Sequence, residues 1–585
     1  MKRLLIPKRS NTYADALLAF GLLRLVDHWL RDSPERGDIF LQDNGPYYEI
    51  QVLDRRGRPL DLPEPKQATY FPSLAPYLLN RRFTKPPAAD FPVRNIDATW
   101  QRVKEYNEQR SALIQKGIKG TDLEQQLRDL EPPPDWQVVA LLGTRQMQAL
   151  PTYNDIVAEW VKVHAHFGEH LAALLILTQG ENDSAWKAWK KQAKEDGLRS
   201  KATASQLLNP HQGKGQNQAK IGSIQPGNVK NPWPIEYLKA AGLWEATFPR
   251  KTQDGDWKVY ILAPRSLRLR DLRGVYRKFA RVLWRESGRD TTALKTDITS
   301  VLLFYKTWLE YAIEHRDEFG LGMARPETVV YGFYVTQYKP MSAQAYTMLN
   351  QSFLHLPEWG HGITTWEDVQ AWQALIDEHL DVIHAVDENH SDGYDMLKDY
   401  RDFVAGGKWE GFFAFATAYA HYAMRRMSEN RYVPLFTTLN LRRLLMTEKK
   451  FAPILESEGF QNFAYAIRHS TVIPQSRKAR NLKALYEIRY GLGEELKRKA
   501  TVKEEFIAAL MNFAQSYNRE NAQVLENKGQ QMRRDLRTSD IEEIVRLVDE
   551  FGSEVVAHLL VAYGYAREPR EDANTDTSTD TETPS

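Results

Sequence analysis

An acid-free polar stretch at residues 209–234, NPHQGKGQNQAKIGSIQPGNVKNPWP, carries the side chains best suited to nucleic-acid chemistry. It contains four Gly, four Asn, four Gln and three Lys. Asn and Gln amides match the donors and acceptors of base edges, Lys neutralises phosphate, and Gly lets a backbone approach a ligand closely. We expect a long exposed loop that faces a polyanion. A solvated insertion without a ligand fits the same composition.

A second candidate is the basic segment 265–289, RSLRLRDLRGVYRKFARVLWRESGR, in which nine basic residues stand against two acids. Its apolar residues recur at helical spacing, so the basic residues share the opposite face of a helix. That uneven charge favours phosphate contacts over a solvated face whose aliphatic stems pack on neighbours. The candidate phosphate-binding residues are Arg268, Arg270, Arg273, Arg277, Lys278, Arg281 and Arg285.

No catalytic motif stands out. The chain has no HExxH, GxxxxGK[ST] or GxSxG pattern and no adjacent His-Asp pair. One cluster at 376–395 holds three His and two Asp that resemble metal ligands: His379, His384, His390, Asp381 and Asp387. The first two His are five residues apart and do not share a helix face, so we expect no metal site there. We predict a binding protein without catalytic residues, metal or cofactor; a nuclease with scattered carboxylates and a helical protein-interaction scaffold are the alternatives.

Composition limits the protein class. The 585 residues carry a formal charge of +2, so any nucleic-acid affinity must come from local basic patches. The chain has no Cys, which excludes disulfides, thiolate metal sites and a cysteine nucleophile. It also lacks a signal-peptide pattern and a long uncharged apolar run. We therefore expect a soluble cytoplasmic protein with no membrane contact.

The elements that must position these candidates are mixed at first and then mostly helical. Asn11 or Thr12 is placed to cap an apolar helix, and 38–54 carries two strand-like runs around an Asp-Asn-Gly turn. Residues 97–130 predict a helical hairpin, and 256–264 and 328–338 predict strands. Nearly everything after Ser342 predicts helix. The fold class is thus α+β in the N-terminal region and predominantly α-helical overall.

The predicted domains are an N-terminal α+β region at 1–135, a central, mostly helical region at 136–445 with the polar loop, and a helical bundle at 446–568. Four amphipathic helices are expected in the bundle, at 449–470, 477–499, 502–528 and 538–565. Ten Lys or Arg stand against three acids between Arg468 and Lys503. The acidic tail at 569–585 has the composition of a disordered segment.

This layout resembles the large subunit of a type I CRISPR surveillance complex, the Cas-eight family of Cascade, nearest to its I-A and I-B branches. The resemblance rests on the TYADALLAFGLLRLVD helix, the polar Gly/Asn/Lys loop, and the C-terminal NLKALYEIRYGLGEELKRKATVKEEFIAALMNFAQSYNREN stretch. It spans most of the chain, but it depends on layout and carries no residue-level signature.

The resemblance implies a subunit that contacts the crRNA 5′ handle, reads a protospacer-adjacent motif in duplex DNA and assists R-loop formation. Its partners would be crRNA, target double-stranded DNA, the backbone, handle-capping and small subunits, and a recruited helicase-nuclease or transposition protein. The motif readers would then lie in the polar loop: Gln212, Lys214, Gln216, Asn217, Gln218, Lys220 and Asn228.

By the same resemblance the C-terminal bundle is similar to the small subunit of such complexes, which implies translation from an internal start, first at Met446. The displaced DNA strand would run along its basic residues. These are Arg477, Lys478, Arg480, Lys483, Lys497 and Arg498.

Overall fold

The computed structural model describes residues 3–31, 37–65, 73–147, 149–179, 183–211, 230–286, 292–342, 345–479 and 486–569. The chain divides into two compact units, Met1–Leu356 and Pro357–Ser585. The first unit mixes sheets and helices, and the described part of the second is built of helices. The predicted fold class, α+β at the N-terminus and predominantly helical overall, is therefore confirmed.

The strands all lie in the first unit. They are β1 Arg3–Pro7, β2 Asp38–Asp43, β3 Tyr47–Leu53, β4 Tyr77–Leu79, β5 Val93–Asn95, β6 Lys201–Thr203, β7 Lys230–Pro232, β8 Thr247–Lys251, β9 Trp257–Pro264, β10 Ser266–Arg268, β11 Val330–Ser342 and β12 Ala345–His355. Its helices are α1 Tyr13–Trp29, α2 Ile96–Gln115, α3 Gly120–Leu127, α4 Trp136–Gly143, α5 Ala149–Ala158, α6 Phe167–Gln179, α7 Asp183–Glu195, α8 Trp233–Ala246, α9 Leu269–Glu286 and α10 Ala293–Glu314.

Two four-stranded antiparallel sheets organise the first unit, in the orders β1-β3-β2-β10 and β12-β11-β9-β8. In the first sheet Ile50 of β3 lies between Leu4 and Leu41, which makes a buried apolar row. Every residue of β9 is buried, since helices and strands surround it. The predicted hairpin at 38–54 and the predicted strands at 256–264 and 328–338 are confirmed.

Helices α1 and α8 form the centre of the first unit. Thr12 caps α1 by accepting a hydrogen bond from the Ala14 amide, as predicted. All fourteen residues of α8 are buried. A Cβ atom on Gly21 of α1 would lie 1.9 Å from the Leu238 carbonyl oxygen, and one on Gly242 of α8 would lie 1.9 Å from the Leu17 carbonyl oxygen. The two backbones therefore touch directly where the helices pack.

The second unit is helical throughout its described residues. Its helices are α11 Trp366–Ala385, α12 Ser391–Gly406, α13 Trp409–Ser428, α14 Thr438–Leu445, α15 Ala452–Glu456, α16 Glu458–Ser470, α17 Val472–Ala479, α18 Leu492–Lys499, α19 Lys503–Lys528, α20 Thr538–Phe551 and α21 Ser553–Gly564.

The predicted boundaries at 135/136 and 445/446 do not coincide with the division after Leu356. The second of them falls inside the second unit, because α13 packs against α17, α18 and α21. A chain that began at Met446 would lack α13 and would expose the surfaces that α13 covers.

Four local predictions differ from the structure. The expected helix at 449–470 is divided at Ser457 into α15 and α16. Residues 345–355 form a strand where helix was expected, because they pair along their length with β11. The expected helix at 477–499 is interrupted, since the described residues 486–491 before α18 are not helical. The expected helix at 538–565 breaks at Gly552, whose φ of +88° lies outside the helical region.

We predict that Gly242→Ala lowers the free energy of unfolding by about 3 kcal/mol or more, because the added methyl group forces α1 and α8 apart. Gly320→Ala is the matched control, since no atom lies within 4 Å of the position that its methyl group would take. Urea unfolding followed by circular dichroism measures both. Equal stability of the two variants would contradict the close backbone contact.

Candidate nucleic-acid interface

The described residues fix both ends of the polar loop at one place. Strands β6 and β7 pair antiparallel, with Thr203 opposite Lys230. The loop is shorter than predicted at its C-terminal end, because residues 230–232 are strand and Trp233 begins α8. The predicted motif-reading residues lie outside the described residues and stay predictions: Gln212, Lys214, Gln216, Asn217, Gln218, Lys220 and Asn228.

A buried polar network holds this loop stem together. The Glu236 carboxylate is 0% exposed and accepts hydrogen bonds from Asn209 Nδ2 at 2.7 Å and Asn231 Nδ2 at 2.9 Å. Lys239 Nζ donates to Glu236 at 3.0 Å and to the Asn209 side-chain oxygen at 2.5 Å. The segment 212–229 is thus flanked by two asparagines, Asn209 and Asn231, that donate to the same buried carboxylate on α8.

Stacked aromatic rings lie against this network. Trp233 stacks on Trp189 with ring centroids 6.2 Å apart, and Tyr237 stacks on Trp160 at 4.4 Å. The Trp233 indole nitrogen donates to the Ile156 carbonyl oxygen at 2.8 Å. These contacts tie α8 to α5 and α7, so the two ends of the loop leave a rigid base.

The basic segment forms α9, as predicted, but most of its cations are paired with acids, one of them Asp271 within the segment and the others outside it. Arg268 is 9% exposed and makes two hydrogen bonds to Asp271, at 2.6 and 2.8 Å. Arg273 bonds Asp27 at 2.7 Å and Glu245 at 3.3 Å. Because the acids at Asp271 and Glu245 are buried, these two arginines hold the fold together and have no freedom to bind phosphate.

The outer cations of α9 also have acidic partners. Their ion pairs are Arg270 with Glu318, Lys278 with Glu314, Arg281 with Glu131, and Arg285 with both Glu124 and Glu131. These pairs are partly exposed and therefore weak enough to exchange for phosphate. Arg277 is exposed and, among the described residues, is the member of the set without an acidic partner. The composition of residues 265–289 does not reveal these acids, because they lie far away in the sequence.

The C-terminal basic residues are divided between two places in the second unit. Arg477 and Lys478 are exposed at the end of α17, and Lys497 and Arg498 are exposed on α18. Arg480 and Lys483 lie outside the described residues. The continuous basic helix that was expected to follow a DNA strand is thus interrupted.

Lys497 and Arg498 also line a cleft of about 1000 Å³ that carries five carboxylates. The carboxylates belong to Asp392, Asp395, Asp399, Glu494 and Glu495. Burial, together with the neighbouring Asp402 and Asp395, raises the pKa of Asp399. So acidic a surface opposes binding of a phosphate backbone, and the displaced-strand role of these two cations remains a prediction.

The histidine cluster at 376–395 is not assembled as a metal site. His379 is 0% exposed, and its Nδ1 lies 2.6 Å from the Tyr400 hydroxyl. His390 is exposed near Asp387. In the part of the chain that the structure describes, no three His, Asp or Glu side chains are arranged to hold a metal ion. Burial lowers the pKa of His379 to about 3, so this histidine is a neutral core residue.

A groove in the first unit contains residues that no sequence motif indicated. It has a volume of about 300 Å³ and is lined by aromatic, amide and basic side chains from α2, α4, β8, β9 and α9. Its most exposed aromatic residue is Trp100, at 42%. We refer to it below as the tryptophan groove. The sequence indicates only part of this groove, through Trp100, Tyr106 and Arg110 on α2. The remaining lining residues are distant in sequence.

No helix in the described ranges has the length and apolar character needed to cross a bilayer. The chain matches no protein-family model and no curated protein. Its function is therefore inferred from the geometry of these surfaces.

We expect Glu236→Gln to cost about 3–5 kcal/mol of folding free energy, because it leaves the Lys239 charge buried without a countercharge. The double variant Glu236→Gln, Lys239→Met should recover part of this loss, because both charges are then absent. Urea unfolding of the single and double variants gives the coupling energy. Additive effects would show that the pair does not hold the stem.

The stability of the second unit should fall on acidification. The His379 pKa is below its unfolded value, so the unfolded chain binds a proton that the folded chain excludes. The stabilisation is complete above about pH 6.5 and declines by about 1.4 kcal/mol per pH unit below it. His379→Gln should flatten the pH dependence of the unfolding midpoint, whereas the exposed control His390→Gln should leave it unchanged. Identical profiles for the two variants would exclude this role for His379.

Proposed function

We propose that this chain is the non-catalytic large subunit of a crRNA-guided DNA surveillance complex that acts in the cytoplasm. It would bind target DNA and the crRNA 5′ handle, recognise a protospacer-adjacent motif, assist R-loop formation, and recruit a nuclease or transposition protein. The observation that carries the proposal is the loop stem. An eighteen-residue segment without acids, 212–229, leaves and rejoins the fold at one buried network on α8.

The stem supports a recognition role because base reading needs side chains held in a fixed position. In a guided complex, pairing with the RNA reads the long sequence, so the protein needs few base-edge contacts and many backbone contacts. The amides of the segment match the first need, and its lysines match the second.

The charge arrangement limits which cations contribute to backbone contacts. We assign phosphate contact first to Arg277, which is exposed and has no acidic partner within the described ranges. Arg270, Lys278, Arg281 and Arg285 would have to exchange carboxylates for phosphates. Arg268 and Arg273 would have to break pairs with buried acids to bind phosphate, so we assign them no phosphate contact.

The proposal is tested by anisotropy of a labelled DNA duplex with the purified chain, alone and with its companion subunits, over a range of salt concentrations. Each phosphate contact contributes about 0.9 to the slope of log affinity against log salt. A slope near zero would favour the protein-interaction scaffold. Divalent-metal-dependent cleavage of the duplex would favour the nuclease.

Motif discrimination gives a sharper prediction. Changing Gln216, Asn217 and Gln218 to Ala should abolish the preference of the assembled complex for one motif without changing its stability. The matched control changes Gln515, Gln523 and Asn527, three exposed amides of α19, to Ala. The complex selects from a pool of duplexes that carry randomised bases beside the target, and the pool is sequenced before and after selection. Unchanged selection by the loop variant would remove the loop from motif reading.

A further inference from the structure

The tryptophan groove is lined by aromatic, amide and basic side chains. Five aromatic residues line it, and its lining contains three cations and no acid. The cations are Arg110, Lys251 and Arg285. Most cations of neighbouring α9 are bound to carboxylates, whereas Arg110 and Lys251 have no acidic partner among the described residues. The groove therefore carries positive charge that the fold itself does not use.

The aromatic rings form a continuous series from the interior to the surface. Tyr106 and Trp284 are buried, with ring centroids 4.4 Å apart, and make the floor. Trp136 contacts Trp284 edge-on at 5.9 Å, and Trp100 contacts Trp136 edge-on at 5.9 Å. Trp100 extends beyond this small core and is 42% exposed, so part of its ring is open to a planar ligand.

Polar side chains also line the groove. The Trp136 indole nitrogen is not among the groups open to a ligand, because it is buried. Asn107 and Gln137 add amides to the lining, and amides pair with the edges of bases.

The size of the groove determines which anionic aromatic ligands fit into it. A volume of about 300 Å³ suits one nucleotide and is too narrow for a duplex. Past Trp100, Val103 and Asn107 it continues onto a shallow, more open surface along α2 that reaches Gln115 and carries one cation, Lys104, and one acid, Glu108. A free nucleotide would end inside the groove, whereas a strand needs this continuation.

We propose that the tryptophan groove binds single-stranded nucleic acid by stacking one unpaired base on Trp100, with Arg110 and Lys251 on the flanking phosphates. Stacking on an aromatic side chain and cations along the backbone are the two contacts that such binding uses. The inference rests on the proposed function, because it names a place where the subunit holds a strand outside a duplex. It differs from that function in requiring no motif and no guide.

The test is the anisotropy of a labelled fifteen-nucleotide thymidine oligomer with the full chain. We expect Trp100→Ala to weaken binding about tenfold or more and Trp100→Phe to weaken it about twofold at most, because phenylalanine still stacks. Arg110→Ala with Lys251→Ala should weaken binding and reduce the salt slope. Its control is Lys187→Ala with Lys190→Ala, which removes the same charge from exposed positions on α7 and should change neither.

Two further arms separate the possible outcomes. Thymidine monophosphate is added as a competitor; displacement of the oligomer at an equal concentration would overturn the assignment to a strand. Labelled duplex is measured in parallel with every variant. If Trp100→Ala binds the duplex and also binds the oligomer as tightly as the parent does, the groove proposal is overturned and the proposed function stands. If Trp100→Ala loses oligomer binding and the parent does not bind the duplex, the result supports the groove and overturns the proposed function.

Discussion

The close contact of α1 with α8 is the constraint on which the first unit depends. Each helix places a glycine where a methyl group would strike the carbonyl oxygen of the other helix. The resulting approach leaves no room for side chains at the contact, so neither helix can rotate or slide without opening a void. Since α8 follows β7 directly and leads into β8, this contact also fixes the loop stem and one sheet.

The two ends of α8 serve different parts of the molecule. Near its N-terminus, Glu236 and Lys239 bind the asparagines of the loop stem. Near its C-terminus, Glu245 pairs with Arg24 of α1 at 2.9 Å and with Arg273 of α9. Buried charges are tolerated at both ends because each has a countercharge and further hydrogen bonds. One helix therefore connects the candidate base-reading segment with the basic helix.

The distribution of acids decides which basic residues remain available for a ligand. A charge of +2 over 585 residues means that nearly every cation has an acid somewhere in the chain. Folding brings Glu131, Glu314 and Glu318 to α9, so its basic face is a network of ion pairs. Arg277 on α9 and Arg110 and Lys251 in the tryptophan groove have no acidic partner in the part of the chain that the structure describes, which leaves them free of ion pairs there.

Helical periodicity, capping and turn residues were enough to predict α1, the β2–β3 hairpin, α9 and α13, because these elements depend on neighbours in the sequence. The same local patterns did not predict β12, whose state depends on pairing with β11, or the helix breaks at Gly552 and at residues 486–491. The sequence alone determined the fold class and the acid-free character of the loop. Only the tertiary structure decided that most cations of α9 are neutralised and that Trp100, Trp136, Trp284 and Lys251 share a groove. The physical reason is that charge pairing and stacking act between residues that the chain brings together only when it folds.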